Sequence, residues 1–422
     1  MAQRLWRLAT VSWLLAACTK EPVPSRTATN QPNVDTLGAA HELLFWKPEQ
    51  QAPSYRNMNR IFPTRAFKAS AKPYPLPPAA ESLPPITYQL AGREFTLDSF
   101  LVRNHLAGLL LIKNGEIVSE RYLQGNTDTT RWISFSVGKS IVSTLAGAAV
   151  QDGAIKSLDD PVTAYLPELK GTGYDGTNVR QLLQMSSGVK YNEDYRDSTA
   201  EIATVVKCIA DREPGCILNA AKRWPRIAAP GTVFNYNTAE TQLIGYLVQA
   251  ATKKHLADYL AEKIWGPFGM ERDGYWITEG EDGPEFAGGG CNMTLRDWGR
   301  FGLFMLGGGK ANRRAVLPPD WIKAATQPGG PHLQYGKLYP GFPLGYGYYW
   351  WLYPPAVASA NPAIDRAYEA EGVFGQTIHI DPKENLVVVT WSTWATADGP
   401  RENAENIAFI AAVTAALHRP RS

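Results

Sequence analysis

The sequence predicts an α+β fold, an α/β sandwich in which an antiparallel sheet is flanked by helices and interrupted by a mostly helical insertion. Three observations predict it. Strand-type runs lie near residue 110 and again between about 346 and 391. The stretch between them, about 179 to 304, reads mostly as helices and loops. Asn114-Gly115 separates two apolar runs, the strongest short hairpin signal. Strands contributed by both ends of a chain, with helices between, suggest one sheet carrying an insertion.

The elements follow in order. Gly108–Ile112 and Ile117–Tyr122 are the arms of the hairpin. From Ser136 to about Val150, apolar Val137, Ile141, Leu145, Ala148 and Ala149 recur at helical spacing. Asp159-Asp160-Pro161 then punctuates the chain. Thr238–Ala251 and Asp297–Leu306 are candidate amphipathic helices. Tyr346–Tyr353, Thr377–Ile380 and Leu386–Trp391 are β-branched or aromatic, and Asp381–Asn385 forms a turn between the last two. A final helix spans about Asn403–Leu417.

Three segments are expected: residues 1–17 as an export signal, 18–85 as a Pro-rich tether with an extended segment lying on the body, and 86–422 as the compact domain with its helical insertion at about 155–305. Arg4 and Arg7 precede a mostly apolar run, Leu8–Ala17. Roughly ten residues are too few for a transmembrane helix, which needs about 20. Leu15-Ala16-Ala17-Cys18 resembles a bacterial lipobox, which implies cleavage before Cys18 and its acylation. The alternative is an ordinary signal with an incidental cysteine. Thr19 stands where an inner-membrane retention Asp would, so resemblance to Gram-negative lipoproteins places the expected lipid-anchored protein at the periplasmic face of the outer membrane.

The 422 residues are 44% hydrophobic and 19% charged, enough for a large core. Net charge is +2 from 42 basic and 40 acidic residues, with no concentrated basic face. Nucleic acid is therefore not an expected partner. In an oxidising compartment Cys208 and Cys216 either close a short loop as a disulfide or remain two buried thiols. Cys291 follows Gly288-Gly289-Gly290 and reads as a packed residue. The six histidines are scattered, with neither a CxxC pair nor an HExxH helix, so no metal or other cofactor is expected.

Chemistry concentrates at Trp132–Ser140. Ser136 and Lys139 are three apart at a helix start and share a face. A serine hydroxyl needs a neighbouring base, and a lysine serves as one only when burial or a positive field lowers its pKa. The first helical turn supplies such a field. A lone Ser-x-x-Lys occurs often by chance. A phosphate loop is excluded because its first glycine would fall at Ile133, and no Gly-x-Ser-x-Gly elbow is present.

The context raises Ser136 above chance. Trp132–Ser140 resembles the first motif of the serine β-lactamase and penicillin-binding superfamily, in its class C branch. Leu182–Val189 resembles that branch's Leu-Leu-x-His-x-Ser-Gly element, with Met185 at the His position. Pro230–Thr238 resembles the segment carrying Tyr-x-Asn. Gly288–Gly290 with Thr294–Asp297, and then Gly372–Gln376, complete five elements in order over about residues 100 to 415. The resemblance implies a β-lactamase/transpeptidase-like fold with its site between the two regions. Ser136 would form an acyl-enzyme, Lys139 or a Tyr236 phenolate would be the base, and Tyr236 would return a proton to the leaving group. The N–H groups of Ser136 and Val373 would form the oxyanion hole.

Two departures narrow the substrate. Thr238 stands where the second motif has Asn, and Tyr368-Glu369-Ala370-Glu371-Gly372 replaces the Lys-Thr-Gly strand that helps hold a β-lactam carboxylate. Such departures are shared by β-lactamase-like carboxylesterases and 6-aminohexanoate-dimer (nylon oligomer) hydrolases, to which Tyr191–Tyr195 also looks similar. A small ester or linear amide is the expected substrate, with Tyr191, Glu371 and Gly372 in its cleft. The competing readings are a peptidoglycan peptidase or weak β-lactamase, and a catalytically silent envelope protein.

Overall fold

The computed structural model describes residues 37–359 and 361–418. The export-signal segment and Cys18 lie outside the described residues. The main sheet has seven strands: β1 (Leu106–Lys113), β2 (Glu116–Tyr122), β3 (Gly345–Tyr346), β4 (Trp351–Leu352), β5 (Tyr368–Gly372), β6 (Gln376–Asp381) and β7 (Leu386–Ser392). Their order is β3-β4-β5-β6-β7-β1-β2, and every neighbour pair is antiparallel. The two chain ends meet where β7 pairs with β1, Val389 opposite Leu110.

The sheet is buried on both faces because its strands alternate between two apolar clusters. Leu110, Ile112, Val387 and Val389 join the larger core with helices α1 (Val137–Gln151) and α3 (Leu295–Leu306). Leu109, Leu111, Leu386 and Val388 join the smaller core under α4 (Pro400–Leu417). Two glycines let α3 approach the sheet. A Cβ on Gly299 would come within 2.6 Å of Ile112, and one on Gly302 within 2.6 Å of Val387. Helix α2 (Thr238–Thr252) is buried over most of its length and packs on α1.

Two expectations are corrected. Tyr346–Tyr353 is not one strand. Tyr349 has φ +62°, which interrupts the run and leaves the short strands β3 and β4. The mostly helical insertion also carries two strands, Gly274–Ile277 and Cys291–Met293, which form a second sheet with Thr64–Phe67 and Trp132–Ile133. The compact fold also starts well before Ile86. The helix Pro48–Tyr55 buries Tyr55, and Trp46 and Phe67 are in the larger core. These apolar side chains, spaced among prolines, bury enough surface to bind the segment to the body.

Candidate active site

Ser136 is the residue that caps the start of α1. It follows Phe135, whose φ of +43° is unusual for a residue with a side chain. That strain is braced by packing: the Phe135 ring lies 5.1 Å from Tyr55 and 5.5 Å from Phe374. Lys139, one turn on, is 1% exposed. Its Nζ lies 2.7 Å from Ser136 Oγ and donates to the Gly288 carbonyl at 2.9 Å. Burial brings the Lys139 pKa down to about 8, against an opposing pull from Glu193. The amine is therefore partly neutral near pH 8.

Tyr236 approaches from the loop before α2, with Lys139 Nζ 5.2 Å from its ring centroid. Its ring stacks on Trp351 at 5.6 Å and 11°. Burial first, and then Glu193, pushes the Tyr236 phenol well above its ordinary pKa, while the Ser136 hydroxyl pulls the other way. The phenol is thus held protonated at neutral pH.

The last strand residue, Gly372, sits against the serine turn. A Cβ there would come 2.8 Å from the Ser134 carbonyl and 3.1 Å from the Ser136 nitrogen. Only glycine allows this approach. Among the described residues, neither the Ser136 N–H nor the Val373 N–H donates to a protein acceptor. Both residues line a cavity of about 310 Å³. Its walls include Tyr195, Tyr236, Tyr339, Trp351 and Trp394, and its acidic groups are Glu193, Glu369, Glu371 and Asp398. Its lining contains no Lys, Arg or His.

The structure brings Ser136, Lys139, Tyr236, Val373, Glu371 and Gly372 together, but not Tyr191. That ring is 6% exposed in the core, against Trp224 at 5.2 Å, and does not line the cavity. Tyr195, four residues on, occupies the wall instead. The irregular loop Tyr191–Tyr195 has no period from which side-chain direction could be read. Cys208 and Cys216 are joined as a disulfide, away from the cavity lining, and Cys291 is a buried free thiol.

Glu193 is the site residue that sequence reasoning missed. Its carboxylate accepts from the Thr238 N–H at 2.9 Å, from the Thr238 hydroxyl, and from the Tyr195 hydroxyl at 2.9 Å. Burial raises its pKa, while Lys139 and these donors lower it. The signal was present in Thr238. Thr238 stands at the motif's Asn position and donates both its N–H and its hydroxyl to Glu193.

The Beta-lactamase family model matches residues 101–412. A 6-aminohexanoate-dimer hydrolase of Paenarthrobacter ureafaciens is 28% identical over 365 residues, covering 83% of this chain and 88% of that protein. A Bacillus anthracis structure described as a candidate 6-aminohexanoate-dimer hydrolase superposes with a TM-score of 0.77 at 25% identity, covering 94% of this chain and all of that one. A penicillin-binding protein from Bacillus halodurans superposes with a TM-score of 0.58 at 18% identity, covering 74% of this chain and 98% of that one.

Proposed function

Because the chain belongs to the β-lactamase family of serine hydrolases, we propose that it cleaves small esters or linear amides through an acyl-enzyme on Ser136. The β-lactamase/transpeptidase-like fold is common to its structural neighbours. The observation that carries the proposal is the 2.7 Å contact between Lys139 Nζ and Ser136 Oγ, made by an amine whose pKa is about 8.

In this mechanism the neutral Lys139 amine takes the Ser136 proton as Oγ attacks the substrate carbonyl. The oxyanion forms between the N–H groups of Ser136 and Val373, which contribute about 3 kcal/mol each in such sites. Tyr236 passes a proton to the leaving alkoxide or amine as the carbonyl–heteroatom bond breaks. Water then attacks the acyl-enzyme by the reverse route, and Ser136 regains its proton. The raised pKa of Tyr236 supports Lys139, rather than a phenolate, as the base.

The substrate class rests on the cavity lining. Its aromatic walls suit an apolar chain, and its lining offers no Lys, Arg or His to hold the carboxylate that penicillins and cephalosporins carry. The likeness to a 6-aminohexanoate-dimer hydrolase supports a linear amide. The lipobox-like Leu15–Cys18 supports attachment through Cys18 at the periplasmic face of the outer membrane. Cys18→Ser should release the protein from membranes, and unchanged association would contradict the anchor.

The test uses a fluorophosphonate probe, then p-nitrophenyl butyrate, a linear amide and nitrocefin side by side. Probe labelling that Ser136→Ala abolishes, with ester or amide turnover above nitrocefin turnover, is expected. Labelling retained in Ser136→Ala would remove the nucleophile. Strong nitrocefin turnover without esterase or amidase activity would replace the substrate class, and no turnover or labelling at all would favour a silent binding protein.

A further inference from the structure

Tyr236 stands on an irregular loop, so whatever holds its backbone decides where its phenol points. The N–H groups on either side of it are anchored to one buried residue. Asn235 donates to the Met185 carbonyl at 2.9 Å, and Asn237 donates to the Met185 sulfur at 3.1 Å. The N–H of Tyr236 itself goes elsewhere. It donates to the Tyr339 hydroxyl at 3.3 Å, from a residue 103 positions on. Tyr339 lines the cavity and is 40% exposed.

Tyr339 reaches that position from a loop shaped to carry it. The loop joins the turn Pro331–Leu333 to β3, and the Gly336 N–H closes its neck by donating to the Pro343 carbonyl at 3.1 Å. Gly336 and Gly341 flank Tyr339 at φ +71° and +78°. A Cβ at either would meet nothing within 4 Å, so backbone conformation, not space, explains the glycines. Leu338 is buried and pins the loop to the body. The Tyr339 ring packs edge-on against Phe234 at 5.5 Å and against Phe342 at 6.2 Å. Phe342 meets Trp351 at 5.3 Å, and Trp351 is the ring on which Tyr236 stacks. One loop thus grips Tyr236 twice, at its backbone and, through Trp351, at its ring.

We propose that Tyr339 is a positioning residue for Tyr236, and that its hydroxyl sets how well the enzyme expels poor leaving groups. The inference rests on Tyr236 being the proton donor to the leaving group. When the tetrahedral intermediate collapses, the bond from the carbonyl carbon to oxygen or nitrogen breaks, and its electron pair stays on the heteroatom. The Tyr236 phenol supplies the proton that this atom needs. The Lys139 ammonium, which carries the Ser136 proton, then restores the phenol. An alkoxide or an amide anion leaves only with that proton, whereas p-nitrophenolate is stable enough to leave without it. A hydroxyl that fixes the Tyr236 backbone therefore matters most where the proton matters.

The test compares kcat/KM for ethyl butyrate with kcat/KM for p-nitrophenyl butyrate on the whole protein, because this constant reports the step in which the leaving group departs. Tyr339→Phe keeps the ring against Phe234 and removes the hydroxyl. The ethyl-to-nitrophenyl ratio should fall about fivefold, the size of one hydrogen bond's contribution. Tyr236→Phe should lower the same ratio further. Tyr339→Leu removes the cavity wall as well, so the same fall in the ratio should come with a raised KM. A ratio unchanged in both Tyr339 variants, with equal losses for the two esters, while Tyr236→Phe lowers it, would overturn the positioning role. A ratio that Tyr236→Phe leaves unmoved would instead remove Tyr236 as the proton donor, and with it the reading on which this inference rests.

Discussion

The Tyr55 ring meets the Phe135 ring edge-on, 5.1 Å between centroids and 85° between planes. It also lies 6.0 Å from the Phe374 ring. Phe135 precedes Ser136 and Phe374 follows Val373, so one early side chain braces both turns that carry the proposed oxyanion donors. Tyr55→Ala should cost about 3 kcal/mol in denaturant unfolding, as for other fully buried aromatic truncations. It should also slow probe labelling of Ser136. Among the described residues the Tyr55 hydroxyl is buried without a partner. Tyr55→Phe should therefore restore labelling and leave stability equal or higher.

The base has a pH signature. As the proposed base, Lys139 is competent only as the free amine, and burial brings its pKa down to about 8. kcat/KM for p-nitrophenyl butyrate should rise about tenfold per pH unit below that value and level off above it. The stability linkage has the same sign. A lysine with a folded pKa below its unfolded value binds fewer protons when folded, so stability should rise between about pH 8 and 10. A rate profile flat from pH 6 to 9 would exclude Lys139 as the base.

Glu193 sets where that limb falls. Its carboxylate favours the charged form of Lys139. Glu193→Gln removes this pull, so the rising limb of the rate profile should move to lower pH. A merely structural role for Glu193 would lower activity without moving the limb.

How much of this was legible depended on how local each signal was. The Asn114-Gly115 hairpin and the Asp381–Asn385 turn are encoded in adjacent residues, and both lie where expected. Ser136 and Lys139 share a face because helical spacing requires it. The second sheet could not be read, because Thr64–Phe67 pairs with Gly274–Ile277 some two hundred positions away. Its strands are four residues or fewer, too short for a period to show. Tyr191 was misplaced for a related reason, since an irregular loop decided which tyrosine reached the cavity.

The disulfide adds a stability prediction. Cys208 lies in the helix Glu201–Ala210, and Cys216 begins the helix Cys216–Ala221, eight positions on. Closing so short a loop restricts the unfolded chain by roughly 2–3 kcal/mol. Unfolding of the oxidised protein, with and without reductant, should differ by that amount in favour of the oxidised form. Indistinguishable midpoints would show that the bond contributes nothing.

The central claim is that Ser136 carries the acyl group, and intact-protein mass spectrometry after rapid acid quench tests it most directly. During turnover of p-nitrophenyl butyrate the protein mass should rise by one butyryl group, and peptide mapping should place that group on Ser136. The adduct should be absent in Ser136→Ala. Turnover with the acyl group mapped to another residue, or an adduct that persists in Ser136→Ala, would contradict the account.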